Sequence, residues 1–123
     1  KLTNAGATIT VFSSTVGLTA SSGYTLNIPA TTPLGSYDLY ANGTTFLRRK
    51  IMFTLAAGGV SGVDFNLPNG DVENSGEVDA TDIDIVIAGF GNLGQSPPDV
   101  DGSEEVDAAD IDIVISNFGG VDE

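Results

Sequence analysis

The C-terminal half of the chain repeats one pattern of apolar and polar positions. Residues 77–91 read EVDATDIDIVIAGFG and residues 105–119 read EVDAADIDIVISNFG, so twelve of fifteen positions are identical at an offset of 28 residues. In each copy, apolar side chains recur at the i, i+3, i+4 and i+7 spacing of a helix face: Ile83, Val86, Ile87 and Phe90, then Ile111, Val114, Ile115 and Phe118. The pattern predicts two helices of about three turns, which are too short to be stable alone.

The N-terminal half shows a different pattern, with short alternating segments between turn residues. The segments predicted to be strands are 7–12, 24–28, 36–40, 45–55 and 63–67. Short alternating strands with Gly, Pro and Asn turns are typical of a small β-sandwich. The predicted fold class is therefore two small domains. An all-β sandwich over residues 1–68, truncated at its N terminus, is followed by an all-α pair of loop–helix motifs over residues 69–123.

Charge differs sharply between the two halves. Residues 71–123 hold fifteen acidic side chains and no basic one, whereas residues 1–70 hold four basic and two acidic side chains. So acidic a segment repels nucleic acid and anionic membranes, and neither is an expected partner. A solvated, disordered tail is the simplest interpretation of an acidic block. The repeating apolar pattern argues against it.

Residue types missing from the sequence limit the catalytic chemistry that the chain can perform. The chain has no histidine, which is the commonest general base, and no cysteine. No phosphate-binding loop or nucleophile elbow is recognisable, so we predict that the protein is not an enzyme. No apolar run approaches the roughly 18 residues of a membrane span, and membrane insertion is not expected.

A twelve-residue acidic loop precedes each predicted helix. The calcium loop of an EF-hand supplies oxygen ligands from positions 1, 3, 5, 7, 9 and 12. At these positions the first loop (residues 71–82) has Asp71, Glu73, Ser75, Glu77, Asp79 and Asp82, and the second (residues 99–110) has Asp99, Asp101, Ser103, Glu105, Asp107 and Asp110. Glu77 and Glu105 are expected to contribute backbone carbonyls. Val78 and Val106 at position 8 are expected to pair the loops.

The loops depart from the motif at three places. Glu73 is longer than the usual Asp or Asn at position 3, and both loops use a neutral serine at position 5. Glycine stands at the turn position of loop 1 (Gly76) but two residues earlier in loop 2 (Gly102), which leaves Glu104 where a positive φ is expected. We predict two calcium ions of unequal affinity, with magnesium as the lesser alternative. Because so many carboxylates converge, we also expect the ions to be needed for folding.

A second interpretation of these acids remains open. Carboxylates near a helix start, such as Asp82 and Asp110, also cap the helix. Capping alone leaves the acids at loop positions 1, 3 and 9 without an explanation.

The duplicated loop–helix arrangement with aspartate at position 12 resembles a type I dockerin over about residues 70–120. The resemblance implies calcium-dependent docking onto a cohesin module, as in cellulosome assembly for polysaccharide degradation, and a secreted or cell-surface bacterial protein. It also implies contacts at loop positions 10 and 11 and along each helix: Ala80, Thr81, Ile87, Ala88, Asn92, Ala108, Ala109, Ile115 and Ser116. The alternative is a calcium-stabilised structural or adhesive module without a cohesin partner, which the absence of basic residues after Lys50 favours.

In the N-terminal half, the phrases GYTLNIP, LGSYDLYANG and VDFNL resemble a carboxypeptidase-regulatory-like, transthyretin-like sandwich. The resemblance implies a structural or adhesive spacer. Tyr37 and Tyr40 could bind carbohydrate if exposed, although core or cross-strand packing is the commoner role of such residues. Residues 48–50 (RRK) form the only basic cluster. They are predicted to be a solvated strand edge or a contact with the acidic half.

Overall fold

The computed structural model describes residues 1–5 and 10–123. The chain divides into two compact units. Unit 1 consists of Lys1–Tyr40 and Lys50–Asp64, and unit 2 consists of Ala41–Arg49 and Phe65–Glu123. The division predicted at 68/69 therefore falls inside unit 2, which also takes a segment from the middle of the N-terminal half.

The described strands form one four-stranded sheet in the order β2-β1-β3-β4. The strands are β1 (Leu2–Asn4), β2 (Thr10–Phe12), β3 (Gly35–Ala41) and β4 (Arg49–Leu55). Strand β1 pairs antiparallel with β2 on one side and with β3 on the other. An irregularity in the β1–β2 register lies between Leu2 and Thr3.

The apolar side of this sheet forms the core of unit 1. Leu2 is fully buried and stands opposite Leu39, which is also buried. Tyr37 is buried as well, and its ring centroid lies 6.2 Å from that of Phe53. Along β4, half-buried and exposed residues alternate, as expected for a strand with one covered face.

The predicted sandwich followed by an all-α domain is wrong. The described strands form a single sheet, and unit 2 combines two short helices with long loops and isolated bridges. Among the described residues, segments 24–28 and 63–67 are not strands, although half-buried and exposed residues alternate along both. Alternation thus predicted the covered side of each segment, but it does not show whether a neighbouring strand is present to pair with it.

The remaining strand predictions agree with the structure fully or in part. The segment 36–40 lies within β3, and the predicted run 45–55 is a strand over its second part, β4. Of the predicted strand 7–12, residues 10–12 form β2, and residues 7–9 lie outside the described part of the chain.

Two helices in unit 2 follow the acidic loops as predicted. Helix α1 spans Ala80–Gly89 and helix α2 spans Ala108–Ser116. Asp79 and Asp107 are the N-cap residues, and each helix begins with a complete capping box. A capping box satisfies two of the amide groups that a helix N terminus leaves without intrahelical partners.

The core of unit 2 is made largely of valines. Its fully buried apolar members are Leu47, Val78, Val86, Val106 and Val114, and Val72 and Val100 are nearly so. Leu47 comes from Ala41–Arg49, more than twenty residues before loop 1, and had no place in the predicted core. The isoleucines at 83, 85, 111 and 113 are half-buried against this cluster.

The predicted apolar face of each helix is only partly buried. Val86 and Val114 are fully buried, but Ile87, Phe90, Ile115 and Phe118 are each more than half exposed. In α1 the buried positions are Asp82, Val86 and Gly89, so the covered face includes the aspartate and excludes the last apolar residue of the pattern. The buried carboxylate at the twelfth loop position favours this orientation of the helix, because its hydrogen bonds to the loop amides hold it against the loop.

The two repeats complete each other through backbone hydrogen bonds. Val78 of loop 1 donates to the carbonyl of Gly120 and accepts from the amide of Gly119, both at 2.8 Å. Val106 of loop 2 makes the equivalent bonds with Asn92 and Gly91, at 2.9 and 2.8 Å. Each loop therefore pairs with the segment after the other repeat's helix. The backbone groups of Val78 and Val106 do not bond to each other, contrary to expectation.

Candidate metal centre

The carboxylates at the twelfth position of each loop are buried and accept hydrogen bonds from the loop backbone. Asp82 and Asp110 are fully buried, although a charged group is costly to bury unless it is hydrogen-bonded. Asp110 Oδ1 accepts from the amides of Val100 (2.7 Å) and Asp101 (3.1 Å), and its Oδ2 accepts from Asp107 (2.8 Å). Asp82 accepts from the equivalent amides of loop 1 at 2.6, 3.4 and 2.8 Å.

The carboxylates at the first position close each loop from the other end. Asp71 Oδ1 accepts from Ser75 and Oδ2 from Gly76, at 2.8 and 2.9 Å. Asp99 makes the equivalent pair of bonds with Ser103 and Glu104, both at 3.0 Å. In each loop, two aspartates eleven positions apart thus fix the loop conformation by accepting hydrogen bonds from its backbone amides.

Loop 2 brings three carboxylates together. One oxygen from each of Asp99, Asp101 and Asp110 lies within 4.8 Å of the others, and this is the one such group in the described residues. Asp101 is exposed, and the hydrogen bonds that it accepts from Ser103 hold the pKa of its carboxyl below the ordinary value. Three converging oxygens, with no nitrogen or sulfur ligand among them, could hold a hard metal cation.

Loop 1 has the same frame with a looser third position. Asp71 and Asp82 are as buried as their counterparts, but Glu73 replaces Asp101 and is exposed. In the described part of the chain, Glu73 does not join a three-carboxylate group like that of loop 2. Glutamate is one methylene longer than the aspartate at the equivalent position of loop 2, and this is the difference between the two loops at position 3.

Backbone conformation explains the shifted glycine of loop 2. Positions 4 and 6 have positive φ in both loops: Asn74 (58°) and Gly76 (90°) in the first, Gly102 (74°) and Glu104 (71°) in the second. Each loop therefore needs two left-handed residues and places its glycine at a different one. Glu104 adopts positive φ as predicted, at a cost of about 1–2 kcal/mol for a residue with a Cβ.

The other predicted ligands have roles that are visible without an ion. Asp79 and Asp107 each accept from the amide two residues on at 2.7 Å, as N-caps do. Capping thus explains the acids at position 9, contrary to the sequence-based prediction. The hydroxyls of Ser75 and Ser103 donate to the carbonyls of Glu77 and Glu105, the groups expected at position 7.

A third element that the sequence did not reveal lies against loop 1. The segment Ala41–Arg49 places Leu47 in the core, and the Leu47 amide donates to the carbonyl of Pro68 at 2.8 Å. Thr45 bonds to Asn69 just before the loop. The only sequence signal was the basic cluster 48–50, and its interpretation as a contact with acidic residues is supported for Arg48.

Arg48 joins Asp122 and Glu123 to this segment. Its backbone amide donates to Asp122 Oδ1 at 2.6 Å, and its guanidinium lies 3.8 Å from Asp122 Oδ2 and donates to the Glu123 carbonyl at 2.7 Å. Arg49 donates to the Val121 carbonyl at 2.7 Å. Both side chains of the ion pair are partly exposed, so the pair itself contributes at most about 1 kcal/mol.

The nine residues predicted to contact a partner are all exposed. They lie at the start of each helix (Ala80, Thr81, Ala108, Ala109), on the helices (Ile87, Ala88, Ile115, Ser116) and just after α1 (Asn92). Further apolar side chains at equivalent positions in the two repeats are exposed as well: Phe90 and Phe118, and Leu93 and Val121. Each repeat thus exposes apolar side chains at equivalent positions.

Unit 1 contains a cleft of about 690 Å³, lined in part by Tyr24, Leu39, Phe53 and Val63. Tyr37, which we had considered for carbohydrate binding, is 3% exposed, and its hydroxyl donates to the carbonyl of Pro33. Tyr40 lies under the ammonium group of Lys1, 5.8 Å from ring centroid to Nζ. The burial of Tyr37 therefore removes one of the two aromatic side chains on which that interpretation depended.

No family model, curated protein or solved structure matches the chain. Among the described residues, no helix is long and apolar enough to cross a membrane. The two acidic loops are therefore the features of the chain that bear on its function.

Proposed function

We propose that unit 2 is a calcium-binding docking module of the dockerin type, which attaches a secreted bacterial protein to a cohesin or a similar extracellular partner. The observation that carries the proposal is the carboxylate group of loop 2. Asp99, Asp101 and Asp110 converge from positions 1, 3 and 12, which are ligand positions of a calcium loop.

The proposed ligands are oxygens throughout, which suits calcium better than a transition metal. Asp99, Asp101, Ser103 and Asp110 would hold one ion, with the Glu105 carbonyl and Asp107. The equivalent residues of loop 1 would hold a second, weaker ion. Bound calcium would neutralise carboxylates that otherwise repel one another, because unit 2 contributes fifteen acids from residue 71 onward.

The docking part of the proposal is supported by the uncovered helix faces. Ile87 and Ile115 are 56% and 55% exposed at equivalent positions, each beside a small residue (Ala88 or Ser116). Paired apolar groups on a folded surface are a common feature of protein–protein contacts. Because the two repeats present the same groups, a partner could bind either repeat in related orientations.

A second candidate function is a calcium-stabilised structural module without a cohesin partner. The observation that favours it is the connection between Ala41–Arg49 and the terminus, where Arg48 and Arg49 bond to residues 121–123. Such a connection stabilises the unit itself and needs no partner.

Two experiments test the proposal in sequence. Calorimetric titration with calcium and with magnesium should show two calcium sites and weaker magnesium binding, and an Asp99→Asn, Asp101→Asn double variant should lose the tighter site. The intact chain should then be immobilised and exposed to a panel of purified cohesin modules with calcium or with chelator.

Docking would be supported by calcium-dependent binding to a cohesin that the double variant Ile87→Asp, Ile115→Asp weakens, because a single substitution leaves the other repeat free to bind. Asp84→Asn, an exposed helix residue, is the matched control. Calcium binding without any cohesin binding would favour the structural module. No calcium binding at all would reject both functions.

A further inference from the structure

The approach to loop 1 is held by a residue from outside both repeats. The backbone carbonyl of Thr45 accepts from the amides of Gly70 and Asp71, at 2.8 and 3.0 Å. The Thr45 hydroxyl donates to Asn69 Oδ1 at 2.7 Å, and the same oxygen accepts from the Gly70 amide at 2.8 Å. Thr45 thus contacts all three consecutive residues that end at the first proposed ligand of loop 1.

Among the residues that the structure describes, loop 2 has no equivalent of Thr45 at the residues before its first ligand, and its link to this assembly is a bond from Asn69 Nδ2 to the carbonyl of Val100, at 2.6 Å. The positions equivalent to Asn69 and Gly70 are Pro97 and Pro98, which have neither an amide hydrogen nor a polar side chain to donate or accept. The amide of Asp99 donates instead to the carbonyl of Ser96 at 2.9 Å, within its own local turn. The amide of the first ligand of loop 2 therefore bonds within its own turn, whereas the amide of the first ligand of loop 1 bonds to a distant segment.

The distant segment is itself firmly held. Two residues after Thr45, Leu47 is fully buried in the core of unit 2, and its amide bonds to the carbonyl of Pro68. Thr45 and Asn69 are therefore bordered by fixed backbone, and a shift of either would disturb the core.

We infer that Thr45 is a positioning residue for the ion of loop 1, which it does not itself contact; the inference rests on the proposed calcium binding. It acts through Asn69 and Gly70 to fix the backbone from which the Asp71 carboxylate projects. Fixing a ligand before binding lowers the entropy lost when the ion binds. Thr45 would thereby compensate for Glu73, the loosely placed third ligand of the same loop.

The test uses the complete chain and calcium ions alone. The backbone amides of Gly76 and Glu104 bond to Asp71 and Asp99 respectively, so their NMR signals report the occupancy of each loop separately. Thr45→Val keeps the side-chain shape and removes the hydroxyl donor. Thr44→Val makes the same change at an exposed neighbour. Leu47→Ala is the comparison for a purely structural loss, because it weakens the core that both loops share.

With Thr45→Val, we expect the Gly76 signal to saturate at about two- to tenfold higher calcium, the effect of losing one partly buried hydrogen bond. The Glu104 signal should change less, because the bond from Asn69 to the Val100 carbonyl does not involve the Thr45 hydroxyl. Leu47→Ala should shift both signals together, and Thr44→Val should shift neither. A parallel shift of both signals with Thr45→Val, or no shift, would overturn the inference while leaving calcium binding intact. No response of the unmodified chain to calcium would overturn the proposed function and this inference with it.

Discussion

Loops 1 and 2 have the same length and share eight of their twelve residues, but they are supported differently. Loop 2 supplies three converging carboxylates and has its first ligand held by its own turn. Loop 1 has a longer third side chain and depends on Thr45 and Asn69. The difference shows how a duplicated motif can diverge in its surroundings while its ligand positions stay the same.

The largest expected effect concerns the buried twelfth positions. Asp110→Ala leaves the amides of Val100, Asp101 and Asp107 without their acceptor, which should cost on the order of 3 kcal/mol of unfolding free energy. Asp82→Ala should cost a similar amount in chelator. In calcium the Asp110 variant should lose more, because loop 2 is expected to bind its ion more tightly.

Urea unfolding with calcium and with chelator measures both differences. Asp112→Ala, an exposed residue of the same helix, is the control and should change little. A larger calcium-dependent loss for Asp82→Ala would reverse the proposed ranking of the loops.

Substitutions at the third loop position should remove the expected difference in calcium affinity between the two loops. Glu73→Asp should raise the calcium affinity of loop 1 by about three- to tenfold, or about 1 kcal/mol, because the shorter side chain matches Asp101. The reciprocal Asp101→Glu should weaken loop 2 by a similar factor. Calorimetry of the two variants measures both changes, and the comparison between the loops fails if Glu73→Asp weakens binding.

The turn positions give a smaller effect. Glu104→Gly should stabilise unit 2 by about 0.5–1 kcal/mol. The backbone strain relieved at a φ of 71° is larger than the free-energy cost of the added conformational entropy of glycine in the unfolded chain. Asn74→Gly should gain less, because asparagine tolerates the left-handed region. Thermal unfolding in calcium measures both, and a greater gain at Asn74 would contradict the assigned strain.

The smallest effect concerns pH. The pKa of Asp101 is held below its ordinary value of 3.8 by hydrogen bonds from Ser103. The stabilisation from its ionised form is therefore complete above that value and is lost as the pH falls below it, through the lower folded-state pKa. Ser103→Ala should move the pKa upward, as an NMR titration of the Asp101 carboxyl in chelator would show. An unchanged pKa would mean that the cause is the backbone amide of Ser103, which donates to Asp101 Oδ1 at 2.9 Å and remains in this variant, and not the hydroxyl.

Local patterns allowed much of the candidate site to be predicted. The acid spacing placed Asp99, Asp101 and Asp110 at converging positions, and the need for positive φ marked Glu104. The helix caps were predicted less well, because the capping alternative named Asp82 and Asp110, whereas the N-cap residues are Asp79 and Asp107. These features depend on interactions within about twelve residues.

Features that depend on distant contacts were not predictable in the same way. Leu47 joins a core formed mainly by residues more than twenty positions later, and nothing in its local sequence indicates that partner. The exposure of Ile87 depends on the buried Asp82, which a hydrophobicity pattern treats as a surface residue. In unit 1, alternation at 24–28 indicated a covered side but not whether a neighbouring strand was present to pair with it.

The exchange of backbone bonds between the repeats has a consequence for how such a unit could originate. Val78 pairs with residues 119–120, and Val106 pairs with the equivalent residues 91–92, so neither repeat closes its own loop. A single repeat of 28 residues would find the missing segment in another copy of itself. The same set of bonds would then join two identical chains about a twofold axis. Gene duplication and fusion of such a homodimer would give one chain with two loops, each of which could afterwards change independently.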